Sequence, residues 1–399
     1  MSTDTSTTST GSAADDKSAA PGGDRTIPRT GESITERSTL IYRALRWWPI
    51  ALLILFLVAP YSALPLPGLL DGPLGSPGSL QLIALCLVYG ALATGYDLLL
   101  GRTGLLSFGH ALYFATGLYA TDLAMLELQL PFAAAALFGI GCSISLALLL
   151  GSVSLRVTGI GFSMVTLAFA QAGSILVQRN PGGVTGGEEG RAAPVEMLPD
   201  SLVGIENTAN LYWIALGYLV LTLAVVHWTV NSPTGRVWEG IKENERRVEV
   251  LGLRPYGFKL VAFVIAGGLA GAGGVVYLLL TGGATPQAAT SDATLALLVM
   301  VVLGGSGTRW GPLLGGVLYT WAGHRLGDLA NSAAIADLPA VLRVPLSQPL
   351  FLLGALFVAV VYLLPGGLAK LPARIRAGRS NADKVGVPGP AHSLEGGTT

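Results

Sequence analysis

Polar side chains interrupt the apolar stretches of this chain, among them Ser107, His110 and Thr121 in one and Ser163, Thr166 and Gln171 in another. Polar groups are costly in a long apolar segment and tend to face a bundle interior or a wet cavity. At helical spacing Ser107, His110, Phe114, Gly117 and Thr121 share one face, and Ser163, Leu167, Gln171 and Ser174 share another with Thr166 adjacent. Hydroxyls, an amide and one imidazole at such positions can hydrogen-bond a passing solute, and these two faces are the expected path. The competing reading is structural: Ser and Thr bond their own helix, while His110 and Gln171 hold helices together.

Covalent chemistry is not expected of these residues. No acid pairs with a base or nucleophile inside the stretches, Asp97 and Asp122 lie near their ends, and a lone His does not imply proton coupling. Cys86 and Cys142 sit in apolar runs as small hydrophobes, so neither a disulfide nor a metal site is expected. No G-x-x-x-x-G-K-[ST] phosphate loop occurs, so any ATP-derived energy must come from a separate subunit. No cofactor is implied, and a net charge of zero gives no reason to expect nucleic acid.

The other chemically loaded segment is a charged island, Ser232 to Lys259, in which ten of 28 residues are Asp, Glu, Lys or Arg although the chain is only 12% charged. Ser232 before Pro233 predicts a helix start and Gly252 a stop. Between them Val237, Ile241, Asn244, Val248 and Leu251 make a narrow, mostly apolar stripe, flanked by Glu243 with Arg247 and Glu239 with Lys242 at pairing distances. Such a helix can be a solvated connection, lie on lipid or dock in a partner's groove. Four interleaved Glu oppose binding to anionic lipid, and docking with Val237, Ile241 and Val248 as anchors is the expectation.

The surrounding elements follow from composition. Hydrophobic residues make up 51% of 399 positions and cluster in blocks of about twenty, the length of a membrane-crossing helix. The fold class is therefore an all-α integral membrane protein, a polytopic helical bundle. Ten spans are expected, near 47–66, 79–100, 108–127, 132–155, 157–177, 210–230, 259–280, 291–305, 311–330 and 349–366, with eight as the alternative. The eighth is short enough to be tilted, re-entrant or broken. Lys and Arg counted in short loops put both termini and the island in the cytoplasm. Residues 1–40 and 371–399 are polar and are expected to be disordered tails around a transmembrane domain at 41–370. The longest outer loop, about Gln178 to Asn210, carries Glu188, Glu189, Glu196, Asp200 and Glu206 against two Arg, either a solvated loop or a surface for an extracytoplasmic partner.

The island resembles the permease subunits of branched-chain amino acid type ABC importers, a family that also includes urea and amide importers. The resemblance rests on Ser232, Pro233, Gly235 and Arg236, then Ile241, Glu243, Asn244 and Glu245, then Leu251 and Gly252, and on Lys259, Ala262, Phe263, Ala270, Gly271 and Gly274. It continues through Gly101, Gly104, Ser107, Gly109 and His110, the block Phe162 to Gln171 with Thr185, and Val302 to Gly307 with Trp310 and Pro312, covering about residues 80 to 366. Arg102 departs from the pattern, in which an aromatic or small residue is common there.

The resemblance implies that the segment at about 232–252 is a coupling helix for an ATPase, with Gly235, Arg236, Val237, Ile241, Glu243, Asn244, Glu245, Val248 and Gly252 as its contact set. It also implies a second homologous or identical permease, two ATP-binding subunits, an extracytoplasmic solute-binding protein and a multi-pass place among the lipids of the cell's inner membrane. The rival is a self-sufficient channel or secondary transporter, for which the island is only a connection.

Overall fold

The computed structural model describes residues 56, 58–62, 72–330, 343, 346–363 and 366–370. Most of the first expected span, and all of both expected tails, lie outside the described residues. The account below concerns the unit Val58–Thr399.

The described chain is built from helices: α1 (Pro77–Asp97), α2 (His110–Leu126), α3 (Phe132–Ser154), α4 (Ile160–Arg179), α5 (Thr208–Asn231), α6 (Pro233–Val250), α7 (Pro255–Thr281), α8 (Ser291–Gly304), α9 (Gly311–Ala330) and α10 (Pro349–Leu363). Each expected span from 79 onward has its helix. Among the described residues five helical segments are long and apolar enough to cross a membrane, Pro77–Thr103, Phe132–Ser154, Ile160–Arg179, Ile205–Asn231 and Pro255–Thr281. This is an all-helical, multi-pass membrane protein.

Local chemistry sets the ends. Ser76 caps α1, its hydroxyl accepting from Ser79 N with Pro77 in the first turn. Pro255 opens α7, and Gly282 closes it with φ +68°, a left-handed conformation that glycine adopts without strain. Only 14 residues long, α8 spans about 21 Å and falls short of the hydrocarbon thickness. The chain reaches it through a strand, β2 (Gly283–Ala284), and a 3-10 turn, Pro286–Ala289. In its first turn Thr294 Oγ1 accepts from Ala111 N in the first turn of α2, at 3.0 Å. Two short helices thus begin against each other inside the bundle, where backbone groups need internal partners.

The segment between α4 and α5 is tied down. Its strand β1 (Arg191–Ala192) pairs antiparallel with β2, Arg191 opposite Ala284. The Arg191 guanidinium donates to Val184 O at 2.7 Å and lies 3.7 Å from Asp122. Glu188, Glu189, Glu196, Asp200 and Glu206 are all exposed on this braced segment.

At the centre, α2, α3 and α7 approach one another closely. The buried residues of α3 are Ala135, Gly139, Ser143, Ala147, Gly151 and Ser154, a small residue at almost every fourth position. Added β-carbons would drive Gly267 into Ala147, Gly271 into Ser143, Gly117 into the Gly271 carbonyl and Gly274 into the Phe114 carbonyl. Small residues allow this approach, and van der Waals contact then holds helices together where lipid supplies no hydrophobic drive. Ser143 Oγ bridges the contact, bonding Tyr113 O at 3.0 Å and Gly267 O at 2.9 Å. The Gly267 and Gly271 pair therefore packs within the subunit.

Gly271→Val is expected to abolish the monodisperse folded species in detergent. Ser143→Ala is expected to lower stability by only about 0.6 kcal/mol, the mean for a hydrogen bond between membrane helices. Gly217, with nothing within 4 Å of its would-be β-carbon, serves as control, and Gly217→Ala should leave the melting temperature unchanged or raise it. Size-exclusion profiles and thermal melts check all three.

Candidate functional site

Ser232 caps α6 as its sequence predicts, the hydroxyl accepting from Gly235 N at 3.3 Å. Gly235 is required at that point because a β-carbon would strike the carbonyls of Val230 and Thr229 at the end of α5. The tight corner between α5 and α6 accounts for Ser-Pro-x-Gly in chemical terms.

The remainder of α6 departs from one continuous stripe. Asn244 has φ −162° and ψ 99°, which breaks the helix, and its Oδ1 accepts from Arg247 N at 3.1 Å to cap the second segment. The phase of the stripe resets at the break. Ile241 and Val248 are buried in the protein's own core, Val237 is half-buried, and Leu251 is 78% exposed. This corrects the expectation that Val237, Ile241 and Val248 are anchors for a partner. The apolar side of α6 is already occupied by α7 and by the end of α1.

Trp238, not singled out from the sequence, is the largest fully buried side chain, and its Nε1 donates to Phe258 O at 2.8 Å. A tryptophan among charged residues is costly to expose, and that was the available signal. Glu245 forms an ion pair with Lys259, a lysine left only 8% exposed. The surface that remains open carries Arg236, Glu239, Lys242, Glu243, Arg246 and Arg247, ending in the exposed apolar residues Val250 and Leu251 beside Gly252.

Nor do the expected pairs along α6 form. Glu239 instead meets Arg102 Nη1 at 2.9 Å, and Lys242 Nζ donates to Gly101 O at 2.7 Å. Both reach one segment, Leu98–Thr103, a π-helical extension of α1. Such segments widen the helix by one residue per turn and are frequent at functional sites. Gly104 ends it with φ +74° and lies against Lys242. At its start, Asp97 Oδ1 accepts from Gly307 N at 2.8 Å, in the turn after α8. Gly101 fits between, since a β-carbon would meet both the Asp97 carboxyl and Gly307 N. One chain of contacts thus runs from α6 through the π segment to the α8–α9 turn. Arg102, the departure from the family pattern, is part of it.

The polar residues of α4 bond the backbone leading into α2. Ser163 Oγ donates to Leu106 O at 2.7 Å, and Phe108 N donates to Thr166 Oγ1 at 3.1 Å. Ser107, His110, Phe114, Gly117 and Thr121 are buried, Thr121 bonding Gly117 O of its own helix at 2.7 Å. Within this chain, close packing on α3 and α7 covers the α2 face expected to line the path. Of the polar residues on the α4 face only Gln171 is exposed, beside exposed Leu167, and its Nε2 donates to Ser291 Oγ at 2.8 Å. Free Cys86 is buried and free Cys142 half-buried.

Residues 78–362 match the family described as branched-chain amino acid transport system / permease component. Among curated proteins, the high-affinity branched-chain amino acid transport system permease protein LivM of Salmonella typhimurium is 29% identical over 269 residues, 61% of this chain and 62% of that protein. Its Escherichia coli K12 counterpart matches at the same identity and coverage. A probable branched-chain amino acid transport permease protein LivM of Methanocaldococcus jannaschii is 28% identical over 298 residues, 71% of this chain and 83% of that protein. The chain thus spans under two thirds of the length of the Salmonella and Escherichia coli relatives.

The Asp97 link has a direct test. Asp97→Leu leaves the Gly307 N–H without its acceptor and is expected to cost about 1–3 kcal/mol, whereas Asp97→Asn keeps an acceptor oxygen and should cost less. Thermal melts of the purified variants read the difference, and equal losses would count against the bond.

Proposed function

The chain belongs to the family of permease components of branched-chain amino acid transport systems, and from that premise we propose that it is the membrane-spanning subunit of an ATP-driven importer of branched-chain amino acids. The printed names of its relatives support the solute class. The observation that carries the reading is the seat of α6. This helix is bound to α7 by Trp238 and the Glu245–Lys259 ion pair, buries Ile241 and Val248, and is joined to the end of α1 by Glu239 and Lys242, while its charged side and Val250–Leu251 stay open.

In this reading α6 faces the cytoplasm, both termini lie inside, ten spans cross the inner membrane, and two ATP-binding subunits grip the open side of α6. A second permease packs beside α4. Gln171, a polar group exposed among Met164, Leu167 and Ile175, borders the path between the two subunits, because an amide is costly when turned to lipid. The braced acidic segment between α4 and α5 is the landing surface for an external solute-binding protein.

Mechanically, closure of the ATPases pushes on α6. Since α6 is bonded to α1 and α7 rather than hinged from them, the push moves the central helices as a body, and alternating access follows from their tilt against the second permease. Glu243→Arg and Leu251→Asp alter only the open side. In the reconstituted complex each is expected to lower solute uptake roughly tenfold or more while the permease remains in the membrane. Ile241→Asp should instead destabilise the permease itself, since Ile241 is buried. Unchanged uptake and unchanged ATPase association in both surface variants would overturn the assignment.

A further inference from the structure

A groove of about 690 Å³ opens between α1, α5, α6 and the α8–α9 turn, a volume in the range of small-ligand sites. One end is basic and the other apolar. Arg102, Arg236, Arg309 and His227 line the first, and Val220, Leu223 and Ala224 on α5 line the second. The two acids in the groove are engaged, Asp97 by Gly307 N and Glu239 by Arg102. Arg309 Nη2 lies 3.1 Å from His227 Nδ1 and its guanidinium sits over Trp310, but neither it nor Arg236 has a carboxylate partner among the described residues.

Position completes the case. Val220, Ala224 and His227 are exposed along one stripe of α5, so the groove opens sideways on a helix apolar enough to cross a membrane. Trp228, 77% exposed beside the basic end, is the amphipathic ring found at the level of lipid head groups. Guanidinium groups match phosphate oxygens with paired donors, and the apolar wall continues from them into the expected hydrocarbon.

We propose that this groove binds the phosphodiester head of an anionic phospholipid between Arg102, Arg236 and Arg309, with an acyl chain against Val220, Leu223 and Ala224. The inference rests on the proposed orientation, in which α6 and the ends of α1 and α5 share the cytoplasmic side. A free phosphate compound shares the head-group chemistry but has no use for the apolar wall, and that difference separates the two sources.

The full chain, purified in mild detergent, is exposed to vesicles of phosphatidylglycerol or of phosphatidylcholine, and retained lipid is counted by native mass spectrometry. Phosphatidylglycerol should be retained preferentially. Arg309→Gln and Arg236→Gln should each lower its retention roughly fivefold. Ala224→Trp, which fills the apolar wall, should lower lipid retention without weakening binding of glycerol phosphate. Equal retention of the two lipids, or no loss in either arginine variant, overturns the proposal. So does glycerol phosphate competing fully with lipid while Ala224→Trp has no effect, which assigns the groove to a soluble phosphate. Arg309 is exposed, so its variant should fold, and a thermal melt verifies this. Gly252→Cys, labelled from one side in sealed vesicles, reads orientation independently and separates failure of the groove from failure of the topology.

Discussion

The close approach of α2, α3 and α7 is the constraint on which the rest depends. Among apolar surroundings, side chains gain little by leaving lipid for protein, so helices are held by dense contact and by the few hydrogen bonds that such contact permits. Gly117, Gly267, Gly271 and Gly274 bring backbones to distances that any β-carbon would forbid. Ser143 then reaches carbonyls on both neighbours. The same contact fixes what surrounds it. Phe263 on α7 packs its ring against Tyr113 and Phe162, bringing α4 to the bundle, and Tyr218 on α5 donates to Leu269 O on α7 at 3.0 Å.

Much of this architecture was legible in the sequence because apolar blocks of spanning length report helices whatever their partners are. The small residues on α7 stood out because five glycines crowd Gly267 to Gly274. Their counterpart on α3 was harder to see. Alanine, glycine and serine at every fourth position are ordinary members of an apolar run, and only the partner helix gives the row meaning. The same ambiguity affected α2. A face with Ser107, His110 and Thr121 can turn to water or to protein, and its chemistry is compatible with both. What decided between them was Gly117 at its centre, whose missing side chain admits the α7 backbone.

The α6 segment shows a different limit. Its start and its amphipathic character followed from Ser232, Pro233 and the spacing of apolar residues, but direction did not. Periodicity says that one side is apolar, not whether that side meets a partner or the chain's own body. Asn244 at a stripe position was a weak point in the pattern, since its side chain readily replaces a backbone acceptor and restarts a helix. The break turns Val248 inward and leaves Leu251 outside, so the two halves of the apparent stripe face different surroundings.

That geometry constrains how force can travel. A helix attached by a flexible corner would absorb displacement in its connections. Here Gly235 packs against the last carbonyls of α5, Trp238 bonds the first turns of α7, and Lys242 bonds the π segment of α1. Displacing α6 alone would break all three contacts and leave the buried Trp238 indole N–H unpaired, at about 1–3 kcal/mol. Moving it together with α1, α5 and α7 breaks none of them. Besides the break at Asn244, the irregular stretch in this assembly is Leu98–Thr103, whose wider turn can tighten or shift register at less cost than a regular helix. Under the proposed role, that stretch is where motion of α6 reaches Asp97, and through it the turn that ends α8.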